Sequence, residues 1–245
     1  MRIIVNADDF GKSVTINKAI VESFEKGYIQ QTTIMANMPA FDDAVVLSKE
    51  YGFFDRVGLH LNLDEGEPLT DEIRSNPHFC SGGIFHDMFF RVTRNRFCLN
   101  KYDYMCIKQE INAQMNRYLL AGFPLMHFDS HHFVHNNISV FRIAKQLGLK
   151  MGFKSARITE ISAADSTLKH LYKVLFNKYV SLYFQTTGQF LQSLNNYRAQ
   201  KGDCEFMTHP SILDGNLVDV LSNNPLKVKS YEEHYRTIQQ LLDEQ

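Results

Sequence analysis

Two neighbouring carboxylates, Asp8 and Asp9, follow a short apolar run. Far along the chain, His127, His131, His132 and His135 fall within nine residues, with Asp129 among them. His60 and His209 stand apart from both groups. One carboxylate and two imidazoles from different segments, with positions left open for water, make a common catalytic metal set. Asp9, His60 and His131 could supply it. Asp8 is adjacent and should point differently, which leaves it free to act as a base while Asp9 fixes the ion. Each residue also has an ordinary use. An Asp-Asp pair after a strand often makes a turn or a helix cap, and a strand histidine is often simply buried and satisfied. The histidine cluster is harder to ascribe to packing. Read as a continuous strand, it puts His127, Asp129, His131, Phe133 and His135 on one face and His132 on the other. His78, His86, His170 and His234 lack such company and read as solvated.

The elements that must position these residues alternate. Residues 3–7 read as a buried strand. Ser13 or Thr15 caps a helix carrying Ile16, Ile20 and Phe24 and ending at Gly27. A strand over 32–37 precedes a helix from Pro39 to about Tyr51. A third strand covers 56–63, with His60 and Asn62 on one face and Val57, Leu59, Leu61 and Leu63 on the other. Residues 64–100 break the rhythm as an insertion containing Phe79, Phe85, Phe89 and Phe90. An insertion of that length often forms a lid or wall, and its aromatics either offer faces to sugar rings or pack beneath it. A helix capped by Asp103 runs to Ala121. It is followed by a strand over 127–131, a helix from Ile138 to Leu147 ended by Gly148, and a strand over 150–158. Residues 168–184 suggest a helix, and 204–208 a late strand ending in His209-Pro210. Ser230 and Glu233 form a capping box for a last helix.

This order implies an α/β chain with parallel strands and crossover helices. We expect a single domain over 1–245, built as a barrel or partly closed barrel, with a substrate-cleft insertion at 64–100. In such folds sites form at the C-terminal ends of the strands. Asp8 and Asp9, His60, the Asp129–His132 group and His209 all fall at such ends.

Bulk properties narrow the classes. The 245 residues carry 26 Lys+Arg and 27 Asp+Glu, a net charge of −1, with 44% apolar and 22% charged residues. These are ordinary values for a globular protein and argue against disordered, collagen-like or coiled-coil chains. They give no reason to expect nucleic acid or an anionic membrane as partner. No stretch approaches the ~20 apolar residues that span a bilayer. The first apolar run is too short for a signal-peptide core, so a cytoplasmic enzyme is the simplest expectation. Cys80, Cys98, Cys106 and Cys204 form no C-x-x-C pair and read as thiols. A homodimer is compatible with the sequence.

Taken together, the motifs resemble the YdjC-like carbohydrate deacetylases, a group that includes chitooligosaccharide deacetylases. The residues that carry the resemblance are Asn6-Ala7-Asp8-Asp9-Phe10-Gly11; Gly58-Leu59-His60-Leu61-Asn62-Leu63 with Gly66 and Pro68-Leu69; His127-Phe128-Asp129-Ser130-His131-His132-Phe133-Val134-His135; and His209-Pro210. The resemblance implies a deformed TIM-like (β/α) barrel. It also implies removal of N-acetyl groups from amino-sugar oligosaccharides of the diacetylchitobiose type, with release of acetate. The family's metal triad carries onto Asp9, His60 and His131, and its base onto Asp8. By the same analogy His209 protonates the leaving amine and Arg157 orients Asp8. His127, Asp129, His132 and His135 are then supporting or substrate-facing residues. Phe133 is a departure, because many members have histidine there. The Asp-His-His set suits zinc, whereas the family is often described with magnesium, so one divalent ion of either kind is expected.

Two rivals make different predictions. A metal-dependent phosphoesterase would place more Lys and Arg near the site and release phosphate. A sugar-binding protein without turnover would have lost at least one triad position, and all three are present.

Overall fold

The computed structural model describes residues 3–91, 99–192, 203–220, 228–230 and 236. β1 (Ile3–Phe10) leads through α1 (Val14–Glu25) to β2 (Gln31–Ile34), and α2 (Phe41–Glu50) leads on to β3 (Val57–Leu61). The insertion then holds a short helix α3 (Asp71–Arg74), a hairpin of β4 (Cys80–Ser81) and β5 (Ile84–Phe85), and a short helix α4 (Met88–Arg91). The long helix α5 (Lys101–Ala121) follows, then β6 (His127–Ser130), α6 (Ile138–Met151), β7 (Ser155–Ala156), α7 (Thr167–Ser181), β8 (Gln189–Leu191) and β9 (Cys204–Thr208). β10 (Pro210–Leu213), β11 (Asn216–Val220) and β12 (Val228–Ser230) form a separate antiparallel sheet.

The main sheet has seven strands in the order β7-β6-β3-β2-β1-β9-β8, all parallel. Its edges approach one another through a parallel bridge between Ser155 and Gln185, just ahead of β8. The result is the expected α/β architecture, a curled, deformed TIM-like barrel. β3 and β9 are buried at every position, as strands covered on both faces require. Among the described residues no helix is long and apolar enough to cross a membrane.

Local chemistry explains where the elements start and stop. Ser13 caps α1, its Oγ accepting from the Ile16 amide at 3.2 Å. α5 is capped by Asn100 rather than Asp103. The Asp103 carboxylate instead accepts from Asn76 and faces His78, so His78 is paired. α6 runs past Gly148 to Met151 and ends at Gly152, where φ is 89°. Gly148 lies against Phe128, Phe153 and Phe184, so it serves packing rather than termination. The helix therefore consumes the start of the strand expected over 150–158, which shrinks to Ser155–Ala156.

In the insertion, Phe79, Phe85 and Phe89 are buried, and the Phe79 and Phe89 rings lie 4.4 Å apart. They extend the core, so ordinary packing accounts for them. Cys80, Cys106 and Cys204 are buried free thiols. Of the helix expected after Ser230 only Arg236, which is helical, is among the described residues, and His234 and Cys98 lie outside them.

Candidate metal centre and active site

Parallel register brings the polar strand ends to one edge. His60 lies opposite Asp129, Leu61 opposite Ser130, and Ala7 opposite Thr208. At the end of β1 the pairing with β2 slips between Ala7 and Phe10, and Asp9 adopts φ 70°. A bulge re-aims side chains that a regular strand would alternate. Asp8 turns into the interior and Asp9 turns toward the histidines.

Asp9 Oδ1 lies 2.9 Å from His131 Nδ1 and 3.4 Å from His60 Nε2. One donor atom from each of Asp9, His60 and His131 falls within 4.8 Å of the others, and all three residues are buried. Burial opposes a charged His60, but Asp129 and then Asp8 override it and raise the ring to about 10. His131 likewise overcomes burial, through Asp9, and is raised to about 9. Burial would raise the Asp9 carboxyl, yet His131 and His60 hold it well below the usual range. The carboxylates around the two rings draw positive charge to one point, and two neutral imidazoles with a carboxylate are a fitting donor set for a divalent ion.

Behind this trio lies a second, filled cluster. Arg157 is fully buried and grips Asp8 with two bonds of 2.7 Å, from Nη1 to Oδ2 and from Nη2 to Oδ1. Its Nη2 also lies 2.6 Å from Asp129 Oδ2, and its Nε donates to Glu205 Oε1 at 2.6 Å. Asn6 Nδ2 donates to Asp8 Oδ1 at 2.7 Å. Thr33 Oγ1 donates to Asp129 Oδ2 at 3.0 Å. The groups Asp8–His60–Asp129 and His127–Asp129–Glu205 also bring donor atoms close together. There the guanidinium already supplies the positive charge.

The remaining histidines do not follow strand alternation. β6 stops at Ser130, and His132 and Phe133 adopt φ 44° and 56°. The chain turns sharply, so His131 and His132 come together with ring centroids 3.9 Å apart. His132 is exposed and its Nδ1 lies 2.9 Å from Asp64 Oδ2. His135 returns to the interior. Its Nε2 donates to the Arg157 carbonyl at 3.2 Å, and its Nδ1 lies 2.5 Å from Ser130 Oγ. Burial pushes that ring down to about 4. His127 is buried at the start of β6, with Nδ1 3.0 Å from Ser155 Oγ, so it does not face the site edge. His209 follows β9 and is partly exposed, and its amide donates to Asp219 Oδ1 at 2.8 Å.

Glu65, Lys12, Glu205 and Thr33 are not among the residues singled out in the sequence, and Asn6 stands there only as part of the Asn6–Gly11 motif. Glu65 and Lys12 stand at the rim: Glu65 Oε2 lies 2.7 Å from His131 Nε2 and 2.8 Å from Lys12 Nζ. Glu205 carried a readable signal, as an acid within a wholly buried strand. The loop that carries Glu65 is built by Asn62, whose Oδ1 accepts from the Asp64 and Glu65 amides and whose Nδ2 donates to the Glu65 carbonyl. Gly66 closes the loop at φ 73°, where a Cβ would sit 2.5 Å from the Met38 sulfur.

Comparison with known proteins bears on this geometry. The family model described as YdjC-like protein matches residues 2–241. A carbohydrate deacetylase of Listeria welshimeri is 32% identical, covering 94% of this chain and 89% of the relative. A carbohydrate deacetylase of Clostridium beijerinckii is 29% identical, covering 95% and 90%. The fold is also similar to a crystal structure from Enterococcus faecalis, of a protein provisionally described as a cellobiose-phosphate cleavage protein. That match has a TM-score of 0.66 at 22% identity and covers 87% of this chain and 82% of the other.

Proposed function

The chain belongs to the YdjC-like family, and from that premise we propose that it is a metal-dependent carbohydrate deacetylase. Its substrates are N-acetylated amino-sugar oligosaccharides such as diacetylchitobiose, and it releases acetate. The observation that carries this reading is the convergence of Asp9, His60 and His131 at one sheet edge, beside a separately held Asp8.

Asp9, His60 and His131 would hold one divalent ion. Two imidazoles favour zinc over magnesium, which prefers oxygen donors. When bound, the ion would polarise the acetyl carbonyl and make water more acidic. The chain's own residues do the rest. Asp8 takes the proton of the attacking water. Arg157 and Asn6 fix its carboxylate, which keeps one orientation throughout. His209, at the same edge, gives a proton to the sugar nitrogen as the C–N bond breaks. The water oxygen ends on acetate and the nitrogen leaves as a free amine. Asp129 orients His60 from behind. His135 and His127 support the interior, and His132, the exposed member, faces the sugar.

Incubation with diacetylchitobiose and Zn2+ or Mg2+ tests the reading. Acetate release should fall to background after chelation and return with the ion. No acetate from any N-acetylated sugar would overturn it. Phosphate release from a sugar phosphate instead would favour the phosphoesterase.

A further inference from the structure

The two histidines of the trio are arranged alike. His60 turns Nε2 toward Asp9 Oδ1 and gives Nδ1 to the Asp129 carboxylate at 2.6 Å. His131 turns Nδ1 toward the same Asp9 oxygen and gives Nε2 to the Glu65 carboxylate at 2.7 Å. Each ring thus has one nitrogen facing the common point and a carboxylate behind the other. A carboxylate behind a ligating histidine fixes its tautomer and ring orientation and makes it a better donor.

The two backing carboxylates differ in setting. Asp129 is completely buried and is held by Arg157 and Thr33. The Glu65 side chain is 37% exposed and its cationic partner is Lys12. Lys12 also reaches Asp9 Oδ2 at 3.4 Å, which closes a ring of Asp9, His131, Glu65 and Lys12 around the outer side of the trio. The Glu65 backbone is not free to drift. Asn37 Nδ2 donates to its carbonyl at 3.1 Å, and Asn62 pins it from the other side. A surface ion pair contributes little to stability by itself, so this ring invites a role other than holding the fold.

We propose that Glu65 is the positioning residue for His131, as Asp129 is for His60, and that Lys12 holds Glu65 in that role from the rim. The inference rests on the reading of Asp9, His60 and His131 as metal holders. It assigns two residues outside that trio to setting how tightly and in what geometry the ion is held. It also makes the His131 side the adjustable half of the centre, because its backing pair is the one within reach of solvent and salt.

Calorimetric titration of the purified protein with Zn2+, and the visible spectrum of bound Co2+, test it. The wild type and Glu65→Gln, Lys12→Met and Asp9→Ala variants are compared, with circular dichroism as the folding control. Glu65→Gln should bind Zn2+ about 10- to 100-fold more weakly and shift the Co2+ spectrum. Lys12→Met should weaken binding in the same direction by a smaller factor and reduce its dependence on salt. Folded Glu65→Gln with wild-type affinity and an unchanged spectrum would overturn the inference while leaving the metal reading intact. If Glu65→Gln does not fold, Lys12→Met decides in its place: wild-type affinity with an unchanged salt dependence overturns the proposal. A wild type that binds neither ion, or an Asp9→Ala variant that binds as well as wild type, would remove the metal reading itself.

Discussion

Asp129 stands directly behind His60, with Oδ1 2.6 Å from Nδ1, and so aims the opposite ring nitrogen at Asp9. Its other oxygen belongs to the Arg157 cluster, so one buried carboxylate joins the candidate metal centre to the candidate base. Asp129→Asn keeps the shape but removes the charge. It should weaken Zn2+ binding about 10- to 100-fold, measured by calorimetric titration. Unchanged affinity would show that the ring is oriented by its packing instead.

The bulge in β1 separates two adjacent acids, and their variants should separate too. Asp8→Asn should leave Zn2+ affinity within a few-fold of wild type and lower kcat for diacetylchitobiose by about 10²- to 10⁴-fold, the range for losing a general base. Asp9→Ala should lose ion binding and turnover together. Measuring both quantities on both variants distinguishes the roles, and full turnover in Asp8→Asn would remove it from the chemistry.

Much of this arrangement could be read from residue types. A short apolar run ended by Asp-Asp, by His-Leu-Asn or by Asp-Ser-His-His announces a strand with carboxylates, amides or imidazoles at its end. Parallel order then places such ends on one edge. What escaped depended on backbone conformation. Positive φ at His132 and Phe133 is rare for bulky residues, and nothing in their types predicts the turn that overturned strand alternation. Glu65 is one acid among several in a polar loop, and the folded loop, with the Asn62 and Asn37 bonds to its backbone, places it beside His131. The β10–β11 hairpin had a legible cue in Asp214-Gly215, both at positive φ, the pair a two-residue turn demands. The helix expected to end at Gly148 runs on to Gly152, because Gly148 is packed among Phe128, Phe153 and Phe184 inside the helix.

Arg157 is enclosed by Asp8, Asp129 and Glu205 with no exposure to solvent. Removing one partner of a buried ionic cluster strands the others without compensation. Arg157→Met should therefore destabilise the protein by about 3–5 kcal/mol, read as a fall in the urea midpoint. Arg157→Lys keeps the charge but not the fork that meets Asp8 at two points. It should recover part of the stability while turnover stays low. Equal stability of Arg157→Met and wild type would mean that the three acids take up protons and pack without it.

The buried His135 ring should make stability depend on pH in a definite direction. Burial pushes its folded-state value down to about 4, against about 6.5 in the unfolded chain. The unfolded state thus takes a proton first as pH falls, and the native state must exclude it. The stability due to the neutral ring is complete above about pH 6.5 and is lost progressively toward pH 4. Between pH 7.5 and 5 the loss is on the order of 2 kcal/mol. Other groups titrate in the same window, so the informative quantity is a difference. His135→Gln retains an amide able to pair with the Arg157 carbonyl or Ser130 but takes up no proton. Urea unfolding at the two pH values should show the wild type losing about 2 kcal/mol more than His135→Gln on acidification. Parallel losses in the two proteins would mean that the ring is charged in the native state, with its Nδ1 donating to Ser130 as its Nε2 donates to Arg157.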